Sequence, residues 1–383
     1  MEKVRLGIVG LGNIGRYHAD YLLQGRVRRC ELVAVCSRGK AAERYPGLKR
    51  FTEPEALFRS GEVDAVLIAT PHYQHVTLGI AALAAGLHIL VEKPIAAHKA
   101  DAERLIAAAQ QRPRQVFAAM FQLRTEPRYQ KLRRLITSGE LGEIVRVNWI
   151  NTDWFRPELY FATGGWRATW KGEGGGVLIN QCLHNLDMLQ WLCGMPARVR
   201  GFCQFGRYHD IEVEDNVTAY LEWSNRATGV FLGSTGEAPG TNRLEIAGTR
   251  GKAVLEDNRL RFIRNEADMI EFSRTAGSPF AKPEVWNVEI PFTDATLPHA
   301  IIVQNFVNAI LDGEPLIAPG PEGIHSVELA NAVVFSALLD RTLQLPMDGA
   351  AWEAKLQELI ANSKVRKQVV EVEPTDFSAS FRR

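Results

Sequence analysis

Long apolar runs are missing from this chain of 383 residues. Its longest, Val63 to Thr70 and Leu87 to Val91, fall far short of the roughly 20 residues that span a bilayer as a helix. No sign of charge dominates: 45 Lys and Arg stand against 44 Asp and Glu, a formal net charge of +1. No global field therefore draws nucleic acid or an anionic membrane, and neither is expected as a partner. Cysteine is sparse. Cys30, Cys36, Cys182, Cys193 and Cys203 are odd in number and form no C-x-x-C pair, which argues against a disulfide frame or a zinc site. They read as buried thiols in a reducing compartment. With a strand pattern starting by Val4 in place of a secretory leader, a cytoplasmic location is expected. There is no internal repeat and no low-complexity segment. What is present is ordinary for a globular protein, 46% hydrophobic and 23% charged. The length exceeds one core, so two domains are expected.

The first part alternates strand and helix signals. Val4 to Val9, Glu31 to Cys36, Val63 to Ala69, His88 to Val91 and Gln115 to Ala119 are short buried-strand candidates. Alanine-rich stretches around Thr77 to Ala85 and Ala100 to Ala109 suit helices. Alternation of this kind means βαβ units in a parallel sheet. The pattern changes after Thr125. A helix over Arg128 to Thr137 leads to a strand near Ile144 to Ile150, then a long aromatic, glycine-rich loop, then a helix predicted over Gly176 to Cys193. Short alternating segments from Arg198 to about Arg264 predict an antiparallel meander. Helical patterns return at His299 to Leu311, Glu322 to Arg341 and Ala350 to Ala361. From Ser363 on, the charged tail is expected to be poorly ordered.

The first strand runs into Gly10-Leu11-Gly12-Asn13-Ile14-Gly15. A G-x-G-x-x-G at a strand-to-helix turn lets the backbone approach a pyrophosphate and offers it helix N–H groups, here from Asn13 and Ile14. The second strand ends in Cys36-Ser37-Arg38-Gly39-Lys40. Ser37 brings no charge to repel a 2′-phosphate and Arg38 is placed to pair with one, which tilts the reading narrowly to NADP over NAD. Thr70-Pro71-His72-Tyr73-Gln74-His75 and Glu92-Lys93-Pro94 follow later strands. Loops at the carboxyl ends of parallel strands form the ligand crevice, so Thr70, Pro71, His72, His75, Glu92 and Lys93 are expected along the cofactor. Gln122 and Arg124, just past the last strand of this part, are placed to reach nicotinamide or substrate.

On the predicted helix, Asn180, His184 and Asp187 fall at i, i+4 and i+7, on one face of an otherwise apolar segment. Such a stripe faces a cleft or a buried network. At about 1.5 Å per residue it spans roughly 10 Å, a length that suits a ring polyol better than a small hydroxy acid. One His and one Asp supply too few ligands for zinc, so no metal is expected. In the preceding loop, Trp166, Arg167, Trp170 and Lys171 either contact substrate or anchor the loop; Arg167 and Lys171 lie nearest the glycine run.

The G-x-G-x-x-G opening, Glu92-Lys93-Pro94 and the segment from Gly174-Gly175-Gly176 through His184 to Asp187 resemble the glucose–fructose oxidoreductase / inositol dehydrogenase (Gfo/Idh/MocA) family. The resemblance covers essentially the whole chain, including Ser138-Gly139-Glu140-Leu141-Gly142. It implies an α/β protein with a Rossmann domain over residues 1–124 and an α+β substrate-binding and oligomerisation domain over 125–383 with a large, mostly antiparallel open sheet. It also implies NAD(P)-dependent redox chemistry on a sugar or cyclitol hydroxyl, with the family's catalytic lysine falling on Lys93 and its histidine on His184, in a homodimer or homotetramer. Inositol dehydrogenases carry Asp four residues before that histidine. Here Asn180 stands there, as in branches acting on glycosides, sugar derivatives or sugar nucleotides. Two rival readings stay open: a redox-neutral enzyme with tightly held NAD(H), and a non-catalytic sensor of dinucleotide or sugar.

Overall fold

Apolar runs of four to seven residues, too short to make helices and buried on both faces, become parallel strands. The computed structural model describes residues 2–367, 369 and 370. Its first sheet contains β1 (Val4–Val9), β2 (Cys30–Cys36), β3 (Lys49–Phe51), β4 (Ala65–Ile68), β5 (His88–Val91) and β6 (Phe117–Ala119) in the order β3-β2-β1-β4-β5-β6. Every pair is parallel. Helices α1 (Asn13–Leu23), α2 (Pro54–Phe58), α3 (His72–Ala84) and α4 (Lys99–Gln110) connect the strands. The order reverses between β1 and β4, and such a switch point opens a crevice at the carboxyl ends of the strands. The turn from β1 to α1 requires glycine: Gly10 has φ +96°, and a Cβ there would lie 2.5 Å from the Ala69 carbonyl oxygen.

The second domain begins with α5 (Pro127–Thr137), β7 (Ile144–Asn151), α6 (Glu158–Ala162) and α7 (Leu183–Cys193). Then follow β8 (Arg198–Phe205), β9 (Glu214–Glu222), β10 (Thr228–Ser234), β11 (Asn242–Gly248), β12 (Gly251–Glu256), β13 (Arg259–Asn265), α8 (Met269–Thr275) and β14 (Val285–Ile290). The chain ends in α9 (Pro298–Asp312), α10 (Gly323–Leu339), β15 (Leu343–Gln344) and α11 (Gly349–Asn362). Nine strands pair as β14-β13-β12-β11-β7-β10-β9-β8-β15. The sheet is mostly antiparallel as expected, with β7 and β10 the parallel exception. Trp149 on β7, fully buried against Phe231 and Tyr129, centres its core. On the other face Phe202 and Tyr220 are exposed.

Three expectations bear on the packing. The division at 124/125 separates the two sheets, and packing crosses it. Helix α9 returns to the first domain, where His299 meets the rings of Tyr17 and His18, and α11 reaches α4 through Arg104 and Glu353. Secondly, the helix predicted from Gly176 starts only at Leu183. Residues 176–182 form turns because Glu214 on β9 takes their backbone N–H groups: its carboxylate accepts from Gly176 (2.9 Å) and Leu178 (3.1 Å), its carbonyl from Val177 (2.9 Å). Thirdly, the start of the tail is held. Ser363 Oγ donates to Glu212 (2.5 Å) and Lys367 Nζ to the Phe161 carbonyl (2.6 Å). Residue 368 and residues 371–383, also part of that expectation, lie outside the described residues.

Candidate active site

The crevice at the switch point is lined as a dinucleotide requires. A Cβ at Gly12 would meet nothing within 4 Å, so the backbone at the start of α1 stands open to a close-lying group. Asn13 Oδ1 accepts from Arg16 (2.7 Å), which fixes the first turn. Ser37 follows β2, its N–H bonded to the Phe51 carbonyl (2.9 Å), with Arg38 exposed beside it. The Thr70 hydroxyl and the Gln122 side-chain oxygen are buried with no hydrogen-bond partner among the described residues. Buried polar groups are normally bonded, so these orphans fit a crevice completed by a ligand.

Not every residue expected along the cofactor faces it. His75 is buried with its ring nitrogens 2.6 and 2.7 Å from the carbonyl oxygens of Pro94 and Thr70, so it fastens the two crevice loops together. Glu92 turns towards α1, where its carboxylate lies 2.7 Å from His18 Nε2 and accepts the Lys93 N–H (3.1 Å). Burial raises the Glu92 pKa, but the His18 hydrogen bond and charge outweigh it and leave the group below the usual carboxylate range. His72, at the start of α3 after Pro71, contacts the Glu173 carbonyl through Nδ1 (3.1 Å) and the edge of Trp166.

Lys93 projects from the end of β5 towards the turn before α7, where Nζ donates to the Asn180 carbonyl (3.0 Å). Burial pulls its pKa below the ordinary lysine value, with Glu92 and Glu173 opposing. His184, in the first turn of α7, is 8% exposed and its Nε2 lies 3.2 Å from the Gln122 amide nitrogen. An N–H donor there needs the unprotonated ring nitrogen, the state required of a base. Lys93 and His184 thus each bond across the junction of the two domains, Lys93 to the Asn180 carbonyl and His184 to the Gln122 side chain.

Asp187 and Arg124 are not available to a substrate, because each is occupied by the other. Arg124 donates through Nε (2.9 Å) and NH2 (2.6 Å) to the Asp187 carboxylate, and both are at most 1% exposed. The polar stripe read from the sequence therefore divides: Asn180 lies in the turn, His184 reaches the cleft, and Asp187 locks α7 to the end of the first domain. The aromatic loop divides as well. Trp170 is buried, its carbonyl bonded to Tyr73 (2.8 Å), and it anchors the loop. Lys171 is exposed. Arg167 packs over the rings of Tyr160 (4.6 Å) and Trp166 (4.7 Å) and donates to the Tyr160 hydroxyl (2.7 Å), which also accepts from Gln181 (3.1 Å).

Sequence reasoning missed Glu173 and Glu214. Glu173 had a signal, a carboxylate lodged inside a glycine run, and its side chain accepts from the Asn180 amide. Glu214 had none, since it arrives from β9 to bind the turn beneath the cleft; burial pushes its carboxyl up to about 7. Elsewhere, His98, Asp101 and Glu353 bring three metal-type donors together, but Arg104 already bonds both carboxylates.

Residues 4–120 match the oxidoreductase family with an NAD-binding Rossmann fold, and residues 129–254 match the GFO/IDH/MocA C-terminal domain. Inositol 2-dehydrogenase of Corynebacterium glutamicum (strain R) is 29% identical over 198 residues, 50% of this chain and 55% of that protein, so the chain matches about half of that relative's length. Inositol 2-dehydrogenase 1 of Saccharopolyspora erythraea is 30% identical over 292 residues, 68% of this chain and 81% of that protein. The WlbA dehydrogenase of Bordetella pertussis, solved in complex with NADH and UDP-GlcNAcA, superposes with a TM-score of 0.76 at 26% identity, covering 90% of this chain and 100% of that one. Since the matches take in the parallel sheet as well as much of the mixed sheet that carries the cleft's far wall, the chain belongs to the Gfo/Idh/MocA family of NAD-binding oxidoreductases.

Proposed function

We propose that the chain is an NAD(P)-dependent dehydrogenase acting on a secondary ring hydroxyl, or the corresponding ketone, of a sugar, glycoside or cyclitol. The observation that carries this reading is that Lys93 and His184 each bond across the domain junction, to Asn180 and to Gln122, just past the ends of β5 and β6. The nicotinamide, when bound, supplies the hydride acceptor. His184 takes the hydroxyl proton, and Lys93 stabilises the developing negative charge on the same oxygen. Tyr160, Trp166 and Arg167 supply ring faces and hydrogen bonds of the kind that hold a polyol. The NADH complex of the Bordetella pertussis dehydrogenase supports the cofactor, and the inositol dehydrogenases support the substrate class. With Ser37 uncharged, NADP(H) is accepted at least as well as NAD(H). A homodimer or homotetramer formed through the exposed sheet face, and a cytoplasmic setting, belong to the same reading; among the described residues no helix is long and apolar enough to cross a membrane.

A panel of glycosides, cyclitols and keto-sugars, assayed with each cofactor at the nicotinamide absorbance, tests the reading. A ring polyol is expected to turn over best, and Lys93→Ala and His184→Ala are each expected to lower kcat by ~10²–10⁴-fold. A preference for acyclic hydroxy acids or simple aldehydes, or near-normal turnover in His184→Ala, overturns it.

A further inference from the structure

Glu173 is 2% exposed, and no lysine, arginine or histidine among the described residues pairs with it at salt-bridge distance. Its two oxygens are used in different ways. One accepts the Ala168 N–H (2.5 Å), which closes the tight turn of the aromatic loop. The other accepts from the side-chain nitrogen of Asn180. A buried carboxylate held by two neutral donors is costly unless fixed cations face it. Three do: Arg167, held on Tyr160, Lys93, and Lys367 from the end of the described chain.

Asn180 connects this carboxylate to the reactive groups. Its side-chain nitrogen is committed to Glu173 and, at 3.4 Å, to the Tyr160 hydroxyl. The amide is therefore oriented, with its oxygen turned away from Glu173 as an acceptor. Its backbone carbonyl receives Lys93 Nζ (3.0 Å). Asn180 thus joins the carboxylate through its side chain and the ammonium through its backbone, and the direction of its side-chain amide is set by the carboxylate, which only accepts.

We propose that Glu173 is the positioning residue behind the reactive pair, orienting the Asn180 amide and supplying the counter-charge that faces Lys93. The inference rests on the role proposed above for Lys93. The other charged or titratable groups facing Lys93 are Glu92 from its own strand end, Arg156 and Arg167 from the aromatic loop, His72 and His75 from α3, and His299 from α9. Glu92, the nearer opposing charge, is also held by His18, and Glu173 is the second carboxylate, reached through Asn180.

The test reads Lys93 without any substrate. Wild type and Glu173→Gln are acetylated with acetic anhydride across pH 7 to 11, and the Lys93 peptide is quantified by mass spectrometry. Loss of the counter-charge favours the free amine, so labelling of Lys93 at pH 8 is expected to rise about threefold or more. The exchanged pair Glu173→Gln/Asn180→Asp keeps one carboxylate and one amide in similar volume with reversed polarity, and is expected to restore the wild-type profile. A purely structural Glu173 gives no such recovery. Identical Lys93 profiles in wild type and Glu173→Gln, reactive or inert, overturn the proposal, as does a double variant that stays like the single one. An inactive sugar panel with the expected labelling would instead count against the dehydrogenase reading alone.

Discussion

At the scale of single residues, the cost of a substitution follows from what the buried group touches. Arg124 and Asp187 are both out of water, and removing Arg124 leaves Asp187 as a buried charge without its cation, whereas Arg124 keeps Glu322 as a second partner. Arg124→Ala is expected to cost about 3–5 kcal/mol, measured as a fall in the urea midpoint at unchanged slope. A loss under about 1 kcal/mol, the range of a surface ion pair, would show that the pair is solvated. Ser37 carries the opposite kind of argument, since it matters through a charge it lacks. Ser37→Asp places a carboxylate where a 2′-phosphate would lie, and repulsion at short range is worth on the order of tenfold in affinity. NADPH binding, followed by fluorescence, is expected to weaken by that factor or more while NADH binding is maintained. A strong preference of the unmutated protein for NADH contradicts the argument.

At the scale of elements, the turn before α7 is held by a strand remote in sequence. Glu214 stands on β9, and its ionised form accepts two N–H groups from the turn, yet burial outweighs them and raises its carboxyl from 4.5 to about 7. A carboxyl whose folded pKa lies above the unfolded one contributes stability that is complete below pH 4.5 and is lost as the pH rises through about 7. Wild type is therefore expected to lose stability relative to Glu214→Gln between pH 5 and pH 8, on the order of 3 kcal/mol at most. Melting temperatures of both proteins across that range measure the difference. Parallel curves would place the Glu214 pKa in its ordinary range.

At the scale of the whole molecule, two sheets share one set of closing helices. Lys99 of α4 reaches Glu328 of α10 (2.9 Å) and the Met347 carbonyl (2.6 Å), all buried, so the last third of the chain fastens the first domain to the second. The mixed sheet keeps one broad face clear of that packing. Phe202 and Tyr220 are exposed there, and Val230 and Leu232 on β10 pair with Tyr220 and Thr218 in the same layer. Exposed apolar surface of this kind marks an interface between molecules. Tyr220→Glu/Leu232→Glu is expected to shift sedimentation towards the monomer without unfolding the chain. An unchanged sedimentation coefficient would leave this face outside any self-association.

The βαβ half was legible in the sequence because its signals are local. Apolar runs, Gly10 at its turn and the strand-end loops each constrain their own backbone, so β1 and β5 lie where the runs predict. Lys93 stands where its strand end predicts, whereas the helix that carries His184 starts at Leu183 and not at the predicted Gly176. The roles of their neighbours were not legible. Periodicity put Asn180, His184 and Asp187 on one stripe, but it carries no information about Glu214 unwinding the first turns or Arg124 capturing Asp187. Glu92 and His75 read as residues along a ligand and Glu173 was not singled out, and only the fold shows that Glu92 meets His18, His75 fastens two loops and Glu173 meets Asn180. The sequence by itself determined the two-sheet architecture. The tertiary structure decided which polar groups remain for a substrate, because a buried charge is satisfied by whichever partner the packing brings within reach, at any separation along the chain.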